Sequence, residues 1–86
     1  ASNVYQLKAL TELEDFDEYF NCQYNEADID TIGGVVLQKF GHMPKKNEKV
    51  MVNGFEFKVV SADKRRIQVL QLTIPKEHVI NGKPTD

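Results

Sequence analysis

Residues 28–44, DIDTIGGVVLQKFGHMP, hold a helix start, a helix stop and a pair of glycines inside the first turn. No other stretch limits the fold so tightly. Asp30 or Thr31 is placed to cap that turn, its side-chain oxygen accepting a backbone N–H that has no partner inside the helix. Gly41 supplies the left-handed stop, and Pro44 keeps the helix from resuming. Ile32, Val35, Val36 and Phe40 recur at helical spacing and make one apolar face, while Gln38 and Lys39 point elsewhere. A glycine costs about 1 kcal/mol relative to alanine at a helical position, so Gly33 and Gly34 together predict a neighbouring backbone that leaves no room for a Cβ. The stretch predicts a short helix pressed onto a sheet.

The chain on either side fits that expectation. Residues 4–9 carry Val, Tyr and Leu in loose alternation and read as a first strand. Thr11, Glu12, Leu13 and Glu14 have the pattern of a capping box, and Leu13, Phe16 and Phe20 then stand on one face of a helix that Asn21 would stop. Residues 22–27 read as a polar connection. Beyond Pro44 the apolar period changes to two. Val50, Val52, Phe55 and Phe57 alternate across Asn53-Gly54, the dipeptide that suits both positive-φ positions of a type I′ turn. A two-residue loop puts Val52 opposite Phe55, Val50 opposite Phe57 and Lys49 opposite Lys58. After a turn at 63–65, a strand over 67–74 changes phase between Val69 and Leu70, which predicts a bulge or burial on both faces. Pro75 ends it. The chain is thus read as one α+β domain over residues 4–75, with residues 1–3 a cloning remnant or disordered and 76–86 a flexible tail.

Eighty-six residues are near the lower size at which a single core suffices without staples, and one cysteine, Cys22, excludes an internal disulfide. No apolar run approaches the ~18 residues of a membrane-spanning helix. No basic-then-apolar leader opens the sequence, which reads as a soluble piece of something larger. The net charge of −2 conceals an asymmetry: residues 1–30 carry eight acids against Lys8, and the remainder ten bases against five acids. The plain expectation is that the halves attract each other and otherwise face water; the sharper one is that a face meets a charged partner domain or a phosphate surface.

The residues 28–44, the alternating hairpin and the run ADKRRIQVLQL together resemble the transporter-associated domain of the CorC/HlyC family. Asp30-Thr31-Ile32-Gly33-Gly34, Gly41-His42-Met43-Pro44 and Arg65-Arg66-Ile67 carry the likeness, in that order and at that spacing. The resemblance implies helices packed on a small antiparallel sheet, a fold similar to part of certain flavin-dinucleotide-binding proteins. It also implies a non-catalytic, accessory or regulatory domain on the cytoplasmic side of a membrane protein named as a magnesium and cobalt efflux protein or a haemolysin. The implied partners are that protein's own upstream cystathionine-β-synthase repeats and membrane domain, or another protomer in a homo-oligomer. Asn47 and Lys64 stand where the family usually has turn glycines, and the family's glycine before the first helix is absent near Ala9. Asn47 tolerates the left-handed conformation, whereas Lys64 implies a turn that is looser or of another type.

Catalysis finds no motif: Cys22, His42 and His78 are scattered, and no nucleophile or metalloprotease signature is present. His42 is placed to meet the last carbonyls of the helix before it. Glu26, Asp28 and Asp30 could hold a hydrated divalent cation, but no calcium-loop pattern surrounds them and no metal is expected. Thr31, Gly33 and Gly34 at a helix start are the candidates for a dinucleotide pyrophosphate, the basis of an alternative function as a module binding flavin adenine dinucleotide. The acids upstream would repel it and no GxGxxG is present, so no cofactor is expected. Lys64, Arg65 and Arg66 form a basic turn suited to docking on a protein; without interleaved aromatics, nucleic acid is not expected.

Overall fold

In the computed structural model, which describes residues 3–24 and 28–75 and the backbone of 79–80 and 83–84, Asn53 and Gly54 both take positive φ, 50° and 88°. That is the type I′ geometry, and it joins β2 (Lys49–Val52) to β3 (Phe55–Ala62) in the expected register. Val52, Phe55 and Phe57 are buried together, with Val50 half-buried against them. Returning along β3 is β4 (Ile67–Thr73), and β1 (Val4–Lys8) pairs with its far side, so the antiparallel sheet runs β1-β4-β3-β2.

The phase change in β4 is resolved in its pairing with β3. Val59 faces Leu70, yet Ser61 faces Val69 and Ala62 faces Ile67, with the register shifting on each side of Ser61. The irregularity lets Ile67 and Leu70, an odd number of residues apart, both enter the core.

Both helices cover one face of this sheet. Leu13, Phe16 and Phe20 are the buried residues of α1 (Leu13–Phe20), and Phe16 lies within 6.4 Å, ring centre to ring centre, of Phe20, Tyr24, Phe55 and Phe57. Ile32, Val35 and Val36 are buried by α2 (Ile32–Phe40), which ends at Gly41 with φ 76°. Asn21 and Asn47 take positive φ, 54° and 77°, so Asn47 does the work of the turn glycine it replaces.

Several local expectations are corrected. The first helix has no capping box: Glu12 is the N-cap without a side-chain bond, and the Thr11 hydroxyl donates to the Lys8 carbonyl at 2.7 Å. Of the two candidate caps for α2, Thr31 takes the place, as one of the two alternatives expected, accepting from the Gly34 N–H at 3.2 Å. Asn3 belongs to the fold, because its Nδ2 donates to the Ile74 carbonyl at 2.8 Å and its own carbonyl accepts from Ile74 at 3.0 Å. Within the segment read as a loose tail, β5 (Val79–Ile80) pairs with β6 (Lys83–Pro84). Ala1, Ser2, Glu26 and residues 76–78 lie outside the described residues.

Candidate functional site

The start of α2 is closed by the chain that leads into α1. The Ile32 N–H donates to the Thr11 carbonyl at 3.0 Å and the Gly33 N–H to the Ala9 carbonyl at 2.9 Å. Gly34 donates to Thr31, and Val35 to the Thr31 carbonyl at 3.3 Å. In return the Leu13 N–H donates to the Asp30 carbonyl at 2.8 Å, so each helix start is satisfied by the other's approach. All four N–H groups that a pyrophosphate would need are taken.

The glycines have separate reasons. A Cβ on Gly33 would lie 2.6 Å from the Ala9 Cβ and 2.8 Å from the Ala9 carbonyl oxygen. One on Gly34 would meet side chains only, Ile29 Cγ2 at 2.8 Å and Thr31 Oγ1 at 3.4 Å. The close backbone expected beside both glycines is therefore beside Gly33 alone.

The structure brings together residues that the sequence scatters. Thr31 and Gly33 share a cleft of about 100 Å³ with Leu10, Arg65 and Arg66. Next to it, Lys8, Leu10, Arg65 and Arg66 line an opening of about 280 Å³. On the other side of the same turn, Met43, Lys45, Lys46 and Lys64 line one of about 440 Å³. The turn is tightened by Asp63, whose Oδ1 accepts from the backbone N–H of Arg65 at 2.7 Å and of Arg66 at 2.8 Å. Those bonds hold the Asp63 carboxyl below its ordinary pKa, and they explain how Lys64 can occupy a turn without positive φ. Lys8, Lys45 and Lys46 were not foreseen as neighbours of 64–66; only the strand pairing reveals it. Leu10, 66% exposed, stands among these cations as the most exposed large apolar side chain of the described residues.

The acidic side is separate. Glu14, Asp15, Glu18 and Tyr19 form the outward stripe of α1. The His42–Glu48 contact at 3.5 Å and the Lys49–Glu56 ion pair at 4.0 Å both lie within residues 42–58, so neither joins the acidic first third to the basic remainder. His42 thus meets the Glu48 carboxylate and the Phe40 ring rather than helix carbonyls. Asp28 and Asp30 are exposed, and the described residues contain no group of three or more side chains able to hold a metal.

The connection at 22–24, read as merely polar, has a structural role. Tyr24 is buried, its hydroxyl donates to the Val52 carbonyl, and its N–H donates to Asp17 Oδ1 at 2.8 Å. Cys22 Sγ donates to the same oxygen at 3.4 Å. Burial, with Asp17 beside it, pushes the Cys22 thiol up to about 12, which makes it a poor nucleophile.

A four-stranded sheet with two helices on one face, a sealed helix start and a charged, partly apolar turn define a small α+β domain whose distinctive chemistry lies on its surface. The chain belongs to the CorC/HlyC family: the model of the transporter-associated domain matches residues 1–76. It is 43% identical over 77 residues to the magnesium and cobalt efflux protein CorC of Pasteurella multocida, covering 90% of this chain and 26% of that one. To CorC of Escherichia coli K12 it is 40% identical over 75 residues, covering 87% and 26%. The chain thus spans about a quarter of these relatives. Among solved structures, a CorC-associated region from Neisseria meningitidis superposes with a TM-score of 0.82 at 40% identity, over 87% of this chain and 93% of that one. A transporter-associated domain of a Xylella fastidiosa haemolysin, solved with Mg²⁺ and Mn²⁺, gives 0.71 at 22% identity over 84% and 87%, a likeness of fold. No helix of the described residues is long and apolar enough to cross a membrane.

Proposed function

We propose that this chain is a non-catalytic accessory domain of a CorC-type magnesium and cobalt efflux protein, on the cytoplasmic side of the membrane. It acts by docking through the turn at 64–66 on the rest of its own polypeptide, the cystathionine-β-synthase repeats and membrane domain, or on a neighbouring protomer. One observation carries the reading: Lys64, Arg65 and Arg66 project at the junction of two clefts beside the exposed Leu10. An exposed apolar residue among cations suits a protein partner, its charges setting orientation and its apolar contact resisting dissociation. The family and the names of the relatives support the transporter context. The domain holds no cofactor and no metal of its own in this reading.

The test is ion flux through the complete efflux protein reconstituted in vesicles. Lys64→Glu, Arg65→Glu and Arg66→Glu together reduce magnesium flux several-fold while the melting temperature of the isolated domain stays within a few degrees. Unchanged flux would overturn the docking role.

A further inference from the structure

The two larger clefts beside the basic turn are built alike. Lys8, Arg65 and Arg66 rim one, Lys45, Lys46 and Lys64 rim the other, and all six residues are exposed. Below the rims the lining is apolar: Ile67 is buried in the first cleft, and Met43 and Ala62 are half-buried in the second. Among the described lining residues one acid, Asp63, stands against these six cations, and it lines both clefts. Its carboxylate is committed to the turn, Oδ1 accepting from the Arg65 and Arg66 N–H groups and Oδ2 from Gln68 Nε2 at 3.1 Å. Glu48, close enough to feel the Lys45 charge, is engaged by the Lys45 N–H at 2.6 Å and by His42. The rims thus carry positive charge in excess over an apolar floor. A nucleic-acid strand would look for aromatic side chains to stack on, and none lines either cleft. A bilayer meets what projects, and here, Leu10 apart, the cations project while the apolar lining lies below them.

We infer that the partner of this end of the domain is an acidic, amphipathic protein segment laid across the turn from one cleft to the other, with an apolar side chain in each cleft and carboxylates against both rims. The inference rests on the reading of the turn as a docking surface and adds the chemistry of its partner. It also widens that surface, because Lys45 and Lys46 lie outside the turn yet rim the second cleft. Arg65 and Arg66 suit bidentate contacts with carboxylates, and the lysines act as point charges. Exposed ion pairs alone contribute little, so the apolar side chains on the cleft floors and against Leu10 slow dissociation. Association weakens with salt, because exposed charges are screened over about 8 Å at ~0.15 M.

Fluorescence anisotropy tests it, with this chain titrated into a labelled synthetic peptide of glutamates that carries leucine at two positions. Binding is saturable at low salt and falls as salt is added. Exchanging the leucines of the peptide for serine weakens it several-fold, and exchanging the glutamates for glutamine abolishes it. Lys45→Glu with Lys46→Glu weakens binding several-fold, as does Arg65→Glu with Arg66→Glu, because the segment engages both clefts. Leu10→Ser weakens it with every charge in place. All five positions are exposed, and an unchanged circular-dichroism melt shows that each variant keeps the fold. No saturable binding, a serine or glutamine peptide that binds as well as the first, or a Lys45→Glu/Lys46→Glu variant of unaltered affinity overturns the inference. Tighter capture by vesicles containing phosphatidylglycerol, or by oligothymidylate, overturns it too. If the peptide fails to bind but Lys64→Glu/Arg65→Glu/Arg66→Glu still lowers magnesium flux in the complete protein, the turn docks on a surface of other chemistry and the proposed function stands. If flux is unchanged in that triple variant, the docking role falls and the inference falls with it.

Discussion

Gly33 donates its N–H to the Ala9 carbonyl at 2.9 Å while its Cα faces the Ala9 side chain, where a Cβ would come within 2.6 Å. One residue thus makes the hydrogen bond and the close contact that lock the start of α2 to the end of β1. Gly33→Ala should cost about 1–3 kcal/mol by overpacking, because the obstacle includes backbone. At Gly34 the neighbour is the Ile29 side chain, and about 1 kcal/mol of helix propensity offsets the crowding, so Gly34→Ala should be far milder. Denaturant melts of the two variants check the order. Ala9→Gly should recover part of the Gly33→Ala loss by removing the Cβ contact while leaving the carbonyl in place.

Tyr24 ties the connection after α1 to the hairpin. Tyr24→Phe leaves the buried Val52 carbonyl without that donor and should cost about 1–3 kcal/mol. Chemical denaturation measures it; a loss below a few tenths would mean that water replaces the hydroxyl.

The same region sets an alkaline limit. Burial first, then the hydrogen bond to Asp17 and its charge, raise the Cys22 thiol from 9.0 to about 12, and burial raises the Tyr24 phenol as well. Both groups hold their protons more tightly folded than unfolded. Their contribution to stability is therefore complete below pH 9 and is lost as pH rises from there toward the folded values. Melting temperature should be flat from neutral pH to about 9 and fall above it, and Cys22→Val should make the fall shallower. At neutral pH the thiol should react with an aromatic disulfide more slowly than free cysteine, and Asp17→Asn should speed it.

In the hairpin, Lys49 lies opposite Lys58. Lys58→Glu should stabilise by about 0.2–0.5 kcal/mol at low salt, with the gain shrinking as salt is added. The diagonal Lys49–Glu56 pair at 4.0 Å keeps it small. A melt at two salt concentrations reads it.

Periodicity and turn chemistry made the sheet legible. Asn53-Gly54 determined a register that needs no distant information, and Leu13, Phe16 and Phe20 announced the face that α1 buries. What the sequence hid was the meeting of segments. Thr11 and Glu14 had the spacing of a capping box, but the backbone of Asp30 and Thr31 arrives from elsewhere and takes over that helix start. Tyr24 looked like part of a polar loop because its burial depends on Val52, far along the chain, as well as on Phe16 in the helix before it. Of the candidate site, the basic turn could be read directly. Its company of Lys8, Leu10, Lys45 and Lys46 could not, since only strand pairing brings them to one end.

The central claim is that the start of α2 is a packing joint, closed by Ala9, Thr11 and Thr31, so that the domain works through its surface. Calorimetric titration with flavin adenine dinucleotide tests it most directly, because that ligand needs free N–H groups for its pyrophosphate at such a helix start. The account predicts a colourless domain with no saturable heat at tens of micromolar ligand, an affinity of roughly −6 kcal/mol. Stoichiometric binding that disappears in Gly33→Leu would contradict it.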